Sequence, residues 1–151
     1  MKKSALLIFL VFLVLSGCEK ATPGRYSVSG QVTLAGVPMN TGRIIFEPLE
    51  TGGEFGPTQA AAPLVAGKYK VEQRTGLAAG DYRVKFEAKE VDASKTKKAR
   101  NTLGQEIDVP VERNLIPDDF GVKSEQTVTI TEGENVFHFE IPARPAGSQA
   151  P

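Results

Sequence analysis

The sequence predicts an all-β fold: an antiparallel, seven-stranded β-sandwich that follows an N-terminal signal peptide. Apolar residues recur at every second position in short segments, and turn residues such as Gly and Pro separate most of these segments. No stretch after residue 18 shows the 3.6-residue period of an amphipathic helix. The length of 151 residues suits one domain, and an apolar fraction of 40% is sufficient for a core.

The predicted strands span residues 26–34, 43–47, 59–65, 68–73, 81–89, 126–131 and 135–141. Each has an inward apolar row and an outward polar row, and the third is the weakest. In the first strand Gly30 interrupts the inward row, where a small residue allows a bulge or the close approach of another backbone. The predicted inward residues are Tyr26, Val28, Val32, Leu34, Ile44, Phe46, Tyr69, Val71, Tyr82, Val84, Phe86, Ala88, Val128, Ile130, Phe137, Phe139 and Ile141.

The alternation fails in residues 91–124, which we expect to form a long irregular insertion in a sandwich domain spanning 26–141. A short strand is conceivable at 107–111. Because Pro110 cannot donate to a β-ladder, such a strand would lie at a sheet edge. The Pro-rich residues 142–151 are expected to be a disordered tail.

Composition excludes several kinds of site. The 18 basic side chains balance the 18 acidic ones, which gives no electrostatic case for binding nucleic acid. The single Cys excludes an intrachain disulfide and a thiolate zinc cage, and the single His excludes a multi-histidine metal site. We therefore expect no cofactor and no self-contained catalytic site.

Residues 1–17 have the organisation of a signal peptide. Lys2 and Lys3 precede an unbroken apolar run at 5–15, ALLIFLVFLVL. Eleven helical residues reach about 16 Å, roughly half of the hydrocarbon core, so this run is too short to span a membrane. Its length instead matches the apolar region of a signal peptide. The sequence LSGC at 15–18 then resembles the lipobox of bacterial lipoproteins.

The lipobox resemblance implies that Cys18 is the acylated first residue of the mature protein. Its thiol is the nucleophile that would accept the lipid, and two or three acyl chains hold a protein stably on a membrane. Residues 18–25 would be the lipidated tether, with an extended reach of at most about 25 Å. The protein is then exported and faces the periplasm or the cell surface. The alternatives are an ordinary secretory signal with an unpaired Cys, or a buried core helix.

Several fragments together resemble a family of envelope modules. The fragments are VSGQV at 28–32, GVPM at 36–39, GRIIF at 42–46, GKY at 67–69, GLAAGDYRV at 76–84 and EGENVFHF at 132–139. In this order they resemble carboxypeptidase-regulatory-like, or transthyretin-like, sandwich domains, which also belong to the Ig-like sandwiches. Behind a lipobox, such domains are similar to lipoproteins of planctomycete-type bacteria. The resemblance implies a fold and a module role, not a reaction.

Two details of the resemblance concern single residues. Tyr82 is expected to fill the end of the sandwich and to bond a loop backbone through its hydroxyl, resembling the tyrosine corner of such folds. IPDDF at 116–120 resembles a family stretch but departs from it, because Asp119 replaces a lysine and Phe120 a tyrosine. A role tied to that lysine is not carried over.

Three other candidates for chemistry have simpler interpretations. His138 is the only imidazole, and it alternates outward on its strand, as a solvated histidine does. Asp118 and Asp119, with Asp108 and Glu112, offer the oxygen ligands that Ca²⁺ prefers, without the spacing of a calcium loop. The third candidate is an internal isopeptide bond between a lysine and an asparagine side chain. Such a bond needs a buried lysine, whereas Lys70 and Lys85 alternate outward on their strands.

The candidate binding surface is the 91–124 segment together with the loop 48–57. Its cations Lys95, Lys97, Lys98 and Arg100 are suited to anionic headgroups or a glycan, or belong to a solvated loop. We expect a lipid-anchored envelope module with a binding or structural role, whose partners are the membrane and another envelope protein or a glycan. The alternative is an accessory subunit of an envelope enzyme complex.

Overall fold

The structure is a computed structural model that describes residues 24–50 and 58–145. The strands in these ranges are β1 (Val28–Leu34), β2 (Val37–Pro38), β3 (Arg43–Pro48), β4 (Ala60–Pro63), β5 (Lys68–Val71), β6 (Gly80–Glu87), β7 (Lys89–Arg100), β8 (Glu106–Asn114), β9 (Thr127–Ile130) and β10 (Asn135–Ile141). Two short 3-10 helices, Gln73–Thr75 and Asp118–Phe120, are the only helical elements among the described residues. Neither could cross a bilayer.

Two four-stranded sheets share one hydrophobic core, as the sheets of a β-sandwich do. In the first sheet β1 pairs with β10 on one side and with β5 and β2 on the other. In the second sheet the order is β4-β3-β6-β9, and every pairing is antiparallel. The seven predicted segments all form strands, and β2, β7 and β8 are additional. The prediction of a purely antiparallel fold is wrong at one place, because β1 and β10 are parallel.

The core consists of the inward rows that the alternation predicted. The largest fully buried side chains are Tyr82, Phe46, Phe86, Ile44, Leu77, Ile116, Ile130, Ile141, Val28, Val32 and Val84. Phe139 links the two sheets, since its ring lies 5.2 Å from that of Phe86 and 6.5 Å from that of Tyr69. The Tyr82 hydroxyl donates to the Ala78 carbonyl at 3.2 Å, so the predicted bond to a loop backbone is confirmed.

Gly30 is the point of closest approach in the first sheet, as its sequence position predicted. A Cβ at this residue would lie 1.7 Å from the Phe137 carbonyl oxygen and 3.0 Å from the Tyr69 hydroxyl. The Tyr69 ring crosses over Gly30, and its hydroxyl donates to that carbonyl at 3.0 Å. A tyrosine on β5 is therefore tied across β1 to β10.

The expectation of an irregular insertion at 91–124 is wrong for residues 91–114, whereas residues 115–124 form no strand. Residues 89–114 form a two-stranded antiparallel β-ribbon, β7–β8, with one register shift between Asp92 and Thr96. No residue of either strand is buried, so the ribbon leaves the sandwich instead of packing on it. An alternating apolar pattern marks a strand only where one face is buried, which explains why β7 lacks it. Pro110 lies in an edge strand, as predicted.

The expectation of a disordered tail also does not hold for residues 142–145. Arg144 donates to the Ile116 carbonyl at 2.7 Å and to Asp118 at 3.2 Å, and its side chain is only 13% exposed. This arginine fastens the end of β10 to the segment that follows the ribbon. Residues 146–151 of the predicted tail lie outside the described residues.

The two ends of the sandwich carry different features. At the N-terminal end, Tyr26 pairs with Leu77, and the β9–β10 turn around Gly133 lies near the start of β1. At the ribbon end, β6 finishes opposite the start of β3, and β7 begins after a single intervening residue, Ala88. The chain therefore enters the sandwich at one end, and the ribbon leaves it at the other.

Candidate binding surface

A cleft of about 980 Å³ opens on the outer face of the second sheet, beside the root of the ribbon. Outward-facing residues of β3, β4 and β6 form its floor. Lys89 and Asn114 at the ribbon root, with Gly121 and Val122 beyond it, also line the cleft. The volume is at the upper end of the range for small-molecule sites. The segment expected to be irregular therefore contributes both a projecting ribbon and part of a cavity.

Ile45 gives the cleft an apolar floor. β3 turns Ile44 and Phe46 into the core, so Ile45 points to the outer face of the sheet. In register it lies between Ala61 on β4 and Lys85 on β6, and it is only 6% exposed. An apolar side chain is thus covered on a face where the neighbouring β6 row, Arg83, Lys85 and Glu87, is charged.

Two ion pairs border this apolar floor. Arg43 Nη2 lies 2.6 Å from Glu87 Oε2, and Lys85 Nζ lies 2.6 Å from Glu47 Oε2. The second pair is the less exposed one, with 24% and 32% of its side chains accessible, so solvent screens it less. Fixed charges of both signs beside an apolar strip suit a ligand with an apolar face and polar edges.

The ribbon is held together by ion pairs between a basic strand and an acidic strand. Lys89 Nζ lies 2.7 Å from Glu112 Oε2, Lys98 Nζ lies 3.1 Å from Asp108 Oδ1, and Arg113 pairs with Glu90. The pKa of Glu112 lies below its ordinary value, mainly because Lys89 donates to it. The same hydrogen bond raises the pKa of Lys89. The net basic β7 therefore faces the net acidic β8, although the Arg113–Glu90 pair has its base on β8 and its acid on β7.

The four cations predicted to form the binding surface all lie on β7, and the structure does not gather them into one basic patch. Lys95 pairs with Asp92 at 3.2 Å, and Lys98 pairs with Asp108. Lys97 and Arg100 have no ion pair with any carboxylate in the described part of the chain. Arg100 lies opposite Glu106 in the ladder.

On one face of the ribbon β8 carries an apolar row, which lies opposite Asp92, Lys97 and Ala99 of β7, and the turn presents a leucine. On β8, Ile107, Val109 and Val111 alternate with polar residues or proline, and Ile107 is 41% exposed. In the turn, the Asn101 carboxamide accepts from the backbone N–H groups of Leu103 and Gln105 at 3.0 Å and 2.9 Å. Leu103 is 80% exposed on this hydrogen-bonded turn. Leu103 therefore presents an apolar side chain at the exposed tip of the ribbon.

The described start of the loop 48–57 lies at the end of the sandwich opposite to the ribbon. Leu49 donates its backbone N–H to Asp81 at 3.0 Å, and Pro48 is paired with Tyr82, so this loop starts at the N-terminal end. Residues 51–57 lie outside the described residues, as does the predicted lipidation site Cys18 with all of residues 1–23.

The remaining predicted candidates occupy separate, structurally engaged positions. His138 is exposed, and its Nδ1 accepts the Gln31 backbone N–H at 3.2 Å. Asp118 is bound to Arg144, whereas Asp108 and Glu112 serve the ribbon. No group of three potential metal-ligating side chains occurs in the described ranges.

The two lysines considered for an isopeptide each lie in an ion pair. Lys70 pairs with Glu72 at 2.7 Å, and Lys85 with Glu47 at 2.6 Å. The buried Asn135 uses its carboxamide within the turn before β10, where it donates to the Thr131 carbonyl at 3.0 Å and accepts from the Thr131 N–H at 3.0 Å. It also donates to the Ser27 carbonyl at 3.3 Å, which joins this turn to the start of β1.

The cleft was not predicted from the sequence, although one signal for it was present. Three apolar residues in a row at 44–46 break the alternation of β3. In a strand with one buried face, the residue between Ile44 and Phe46 would be polar, so the apolar Ile45 indicates that the outer face is covered there. The ion pairs of Arg43 and Lys85 gave no such signal, because they depend on the register between β3 and β6. A one-residue slip would place these side chains on the opposite face.

Comparison with known proteins gives partial likenesses. A candidate carbohydrate-binding protein from Pseudomonas aeruginosa is 12% identical, with 79% of this chain and 88% of that protein covered and a TM-score of 0.39. The major pilin subunit of Bacillus cereus is 11% identical, with 82% and 31% covered and a TM-score of 0.40. A 9R-lipoxygenase from Cyanothece is 10% identical, with 97% and 21% covered and a TM-score of 0.38.

The chain thus spans about a third of the pilin and a fifth of the lipoxygenase. No family model and no curated protein sequence matches it. The support for a function therefore comes from the chain's own residues.

Proposed function

We propose that this protein is a lipid-anchored β-sandwich module of the bacterial cell envelope that presents the β7–β8 ribbon, and the cleft at its root, to another envelope component. The sandwich is the scaffold, and the role is binding or structural, with no reaction assigned to the chain. The component is an envelope protein or a glycan. The transthyretin-like type of sandwich and the planctomycete-type lipoprotein group remain part of this proposal.

The observation that carries the proposal is the position of the ribbon. Neither β7 nor β8 has a buried residue, so the ribbon contributes nothing to the core of the sandwich. It is nevertheless ordered by cross-strand ion pairs and by the Asn101 turn. An exposed element that the chain keeps ordered without burial is best explained by a contact with something outside the chain.

The anchor is supported by the sequence and by the place where the chain enters the sandwich. LSGC at 15–18 lies six residues before the first described residue, Gly24. Gly24 belongs to the N-terminal end, because Arg25 donates to the Gly76 carbonyl at 3.3 Å and also bonds Thr58. A tether attached at this end would leave the ribbon at the end of the sandwich opposite to Cys18.

Site-specific photo-crosslinking in cells tests the binding role. A photoreactive residue in place of Leu103, which is 80% exposed on the ribbon, is expected to give a discrete adduct with one envelope component. The matched control is the same residue in place of Val65, which is 67% exposed at the side of the sandwich. Identical products from both positions, or none from Leu103, would contradict the proposal. A single stoichiometric enzyme in the adduct would favour the accessory-subunit alternative.

The anchor needs a separate test. Cys18→Ser is expected to abolish acyl labelling and to move the protein out of the detergent-soluble membrane fraction, because Cys18 carries the only thiol of the chain. Unchanged labelling and fractionation would exclude the lipid anchor without affecting the binding role.

A further inference from the structure

β10 is a long sheet edge that lacks the Lys and Pro which commonly prevent pairing. It has seven residues, its register with β1 is unbroken, and among the described residues it pairs with β1 alone. Edge strands normally avoid association by being short, by carrying charged side chains, Lys above all, or by containing Pro or a bulge. β10, with the sequence NVFHFEI, has no Lys and no Pro, and Glu140 is its one charged side chain.

The other edges of the described sheets have such protection. β9 and β4 have four residues each, and β4 ends in Pro63. β2 has two residues, one of them Pro38, and β5 carries two lysines. In the ribbon, β7 carries several lysines and β8 contains Pro110. The unprotected edge of β10 therefore stands out within the molecule.

The hydrogen bonds to β1 determine which backbone groups of β10 face the open side. Asn135 donates its N–H to the Ser27 carbonyl at 3.2 Å, and the Ile141 carbonyl accepts from Ala35 at 2.8 Å. In a parallel ladder, alternate residues direct both backbone groups to the same neighbour. The odd-numbered residues of β10 therefore face β1. The backbone groups of Val136, His138 and Glu140 are left on the open edge.

We propose that this edge pairs antiparallel with β10 of a second copy of the chain, about a two-fold axis at His138. In this register His138 lies opposite His138 of the second copy, and Val136 lies opposite Glu140 of the second copy. All three open-edge residues are then paired, which gives about six backbone hydrogen bonds. If the axis is moved by one residue, inward-facing side chains still lie opposite inward-facing side chains. Only two of the three open-edge residues are then paired, with about four backbone hydrogen bonds. The two first sheets would join into one continuous eight-stranded sheet.

The side chains of β10 match this register on the core side of the sheet. The axis at His138 places Phe137 opposite Phe139 of the second copy, twice by symmetry. Both rings are only partly buried in the single chain and already pack on the core. Phe139 lies 5.2 Å from Phe86, so the pairing would extend an existing aromatic cluster across the axis. Aromatic cross-strand pairs of this kind stabilise antiparallel sheets.

Disulfide trapping tests both the partner and the register. In a Cys18→Ser background of the full-length chain, His138→Cys introduces the sole cysteine on the axis. Directly opposed residues of a hydrogen-bonded pair lie about 5.5 Å apart at Cα, within disulfide range. Mild oxidation is expected to give a reducible dimer of twice the chain mass. Val136→Cys is the matched control, because its two copies would lie roughly 13 Å apart.

A second measurement does not depend on cysteine chemistry. Val136 is 56% exposed, and in the proposed dimer it faces Glu140 of the other copy twice. Val136→Glu is expected to raise the dimer dissociation constant by roughly 2- to 30-fold and Val136→Lys to lower it by a similar factor. Sedimentation equilibrium in detergent measures both. Equal trapping of residues 136 and 138, a monomeric chain, or equal effects of the two charges would overturn the proposal.

Discussion

Gly30 allows a close contact between β1, the central strand of the first sheet, and the edge strand β10. Because it has no Cβ, the Phe137 carbonyl can occupy the space that a side chain would fill, and Tyr69 reaches that carbonyl across the strand. The glycine therefore does more than relax the backbone: it allows three strands to be joined by one tyrosine hydroxyl. An aromatic residue beside a strand glycine is a known way to restore the packing that the glycine lacks.

Gly30→Ala should lower the free energy of unfolding by about 2 kcal/mol or more, because the added methyl group must displace a strand backbone. Urea denaturation measures the change. Ser29→Ala is the control, since the neighbouring side chain faces outward in the same strand, and we expect a change of less than about 0.5 kcal/mol. Equal effects of the two substitutions would refute the close approach.

Two buried tyrosines should make the fold sensitive to alkali. Burial raises the pKa of Tyr69 and of Tyr82 above the ordinary value of 10, so the folded state favours the neutral phenol. Their contribution is fully present below pH 10, where the unfolded chain also keeps the proton, and is lost as the pH rises above 10.

Unfolding measured between pH 8 and pH 11 is therefore expected to show a stability that falls above pH 10. The fall should be smaller in a Tyr69→Phe, Tyr82→Phe double variant, which keeps the rings but has no phenol to ionise at these positions. An identical fall in both proteins would show that other groups cause it.

At the scale of elements, the sandwich strands and the ribbon are stabilised by different interactions. β6 has an alternating row of buried side chains, whereas β7 has none and depends on ion pairs with β8. Individual exposed ion pairs contribute little to stability, so the ribbon depends on several of them together with its hydrogen-bonded turn. The ribbon and the sandwich should therefore respond independently to mutation.

Replacing residues 91–112 with an Asn-Gly turn should leave the sandwich folded. Glu90 and Arg113 are directly paired, so a two-residue turn fits between them. Because no ribbon residue is buried, we expect the melting temperature to change by less than about 4 °C. Ile116→Ala, in a fully buried residue just after the ribbon, should instead cost about 2–5 kcal/mol. Loss of cooperative unfolding on shortening the ribbon would contradict this independence.

The elements that the sequence predicted are those in which burial leaves a period-two pattern. Tyr82, Val84 and Phe86 are buried and alternate with exposed residues, and their strand was the clearest of the predictions. β7 shows no such pattern around Lys97 and Lys98. Both faces of this strand contact solvent, so no apolar row alternates with a polar one. The sequence also does not indicate that β10 runs parallel to β1, because side chains alternate in the same way in parallel and antiparallel strands. The cleft floor depends on the register of β3 with β6, which a single sequence does not specify.

At the scale of the whole molecule, the N-terminal end of the sandwich and the tip of the ribbon lie far apart. The eight residues of β6 span about 25 Å from the N-terminal end to the ribbon end. The nine residues of β8 add about 30 Å of ribbon. A lipid on Cys18 would therefore place the sandwich next to the membrane and Leu103 far from it. The open edge of β10 lies along the side of the sandwich, where a second copy could pair without covering the ribbon.

The most direct test of this geometry is energy transfer from the protein to acceptor lipids in vesicles. A donor dye is attached through Leu103→Cys on the ribbon or Glu132→Cys at the N-terminal end, each being the only free thiol when Cys18 is acylated. We predict strong transfer from residue 132 and weak transfer from residue 103. Equal transfer from the two positions, or stronger transfer from residue 103, would contradict a membrane-anchored module that presents its ribbon outward.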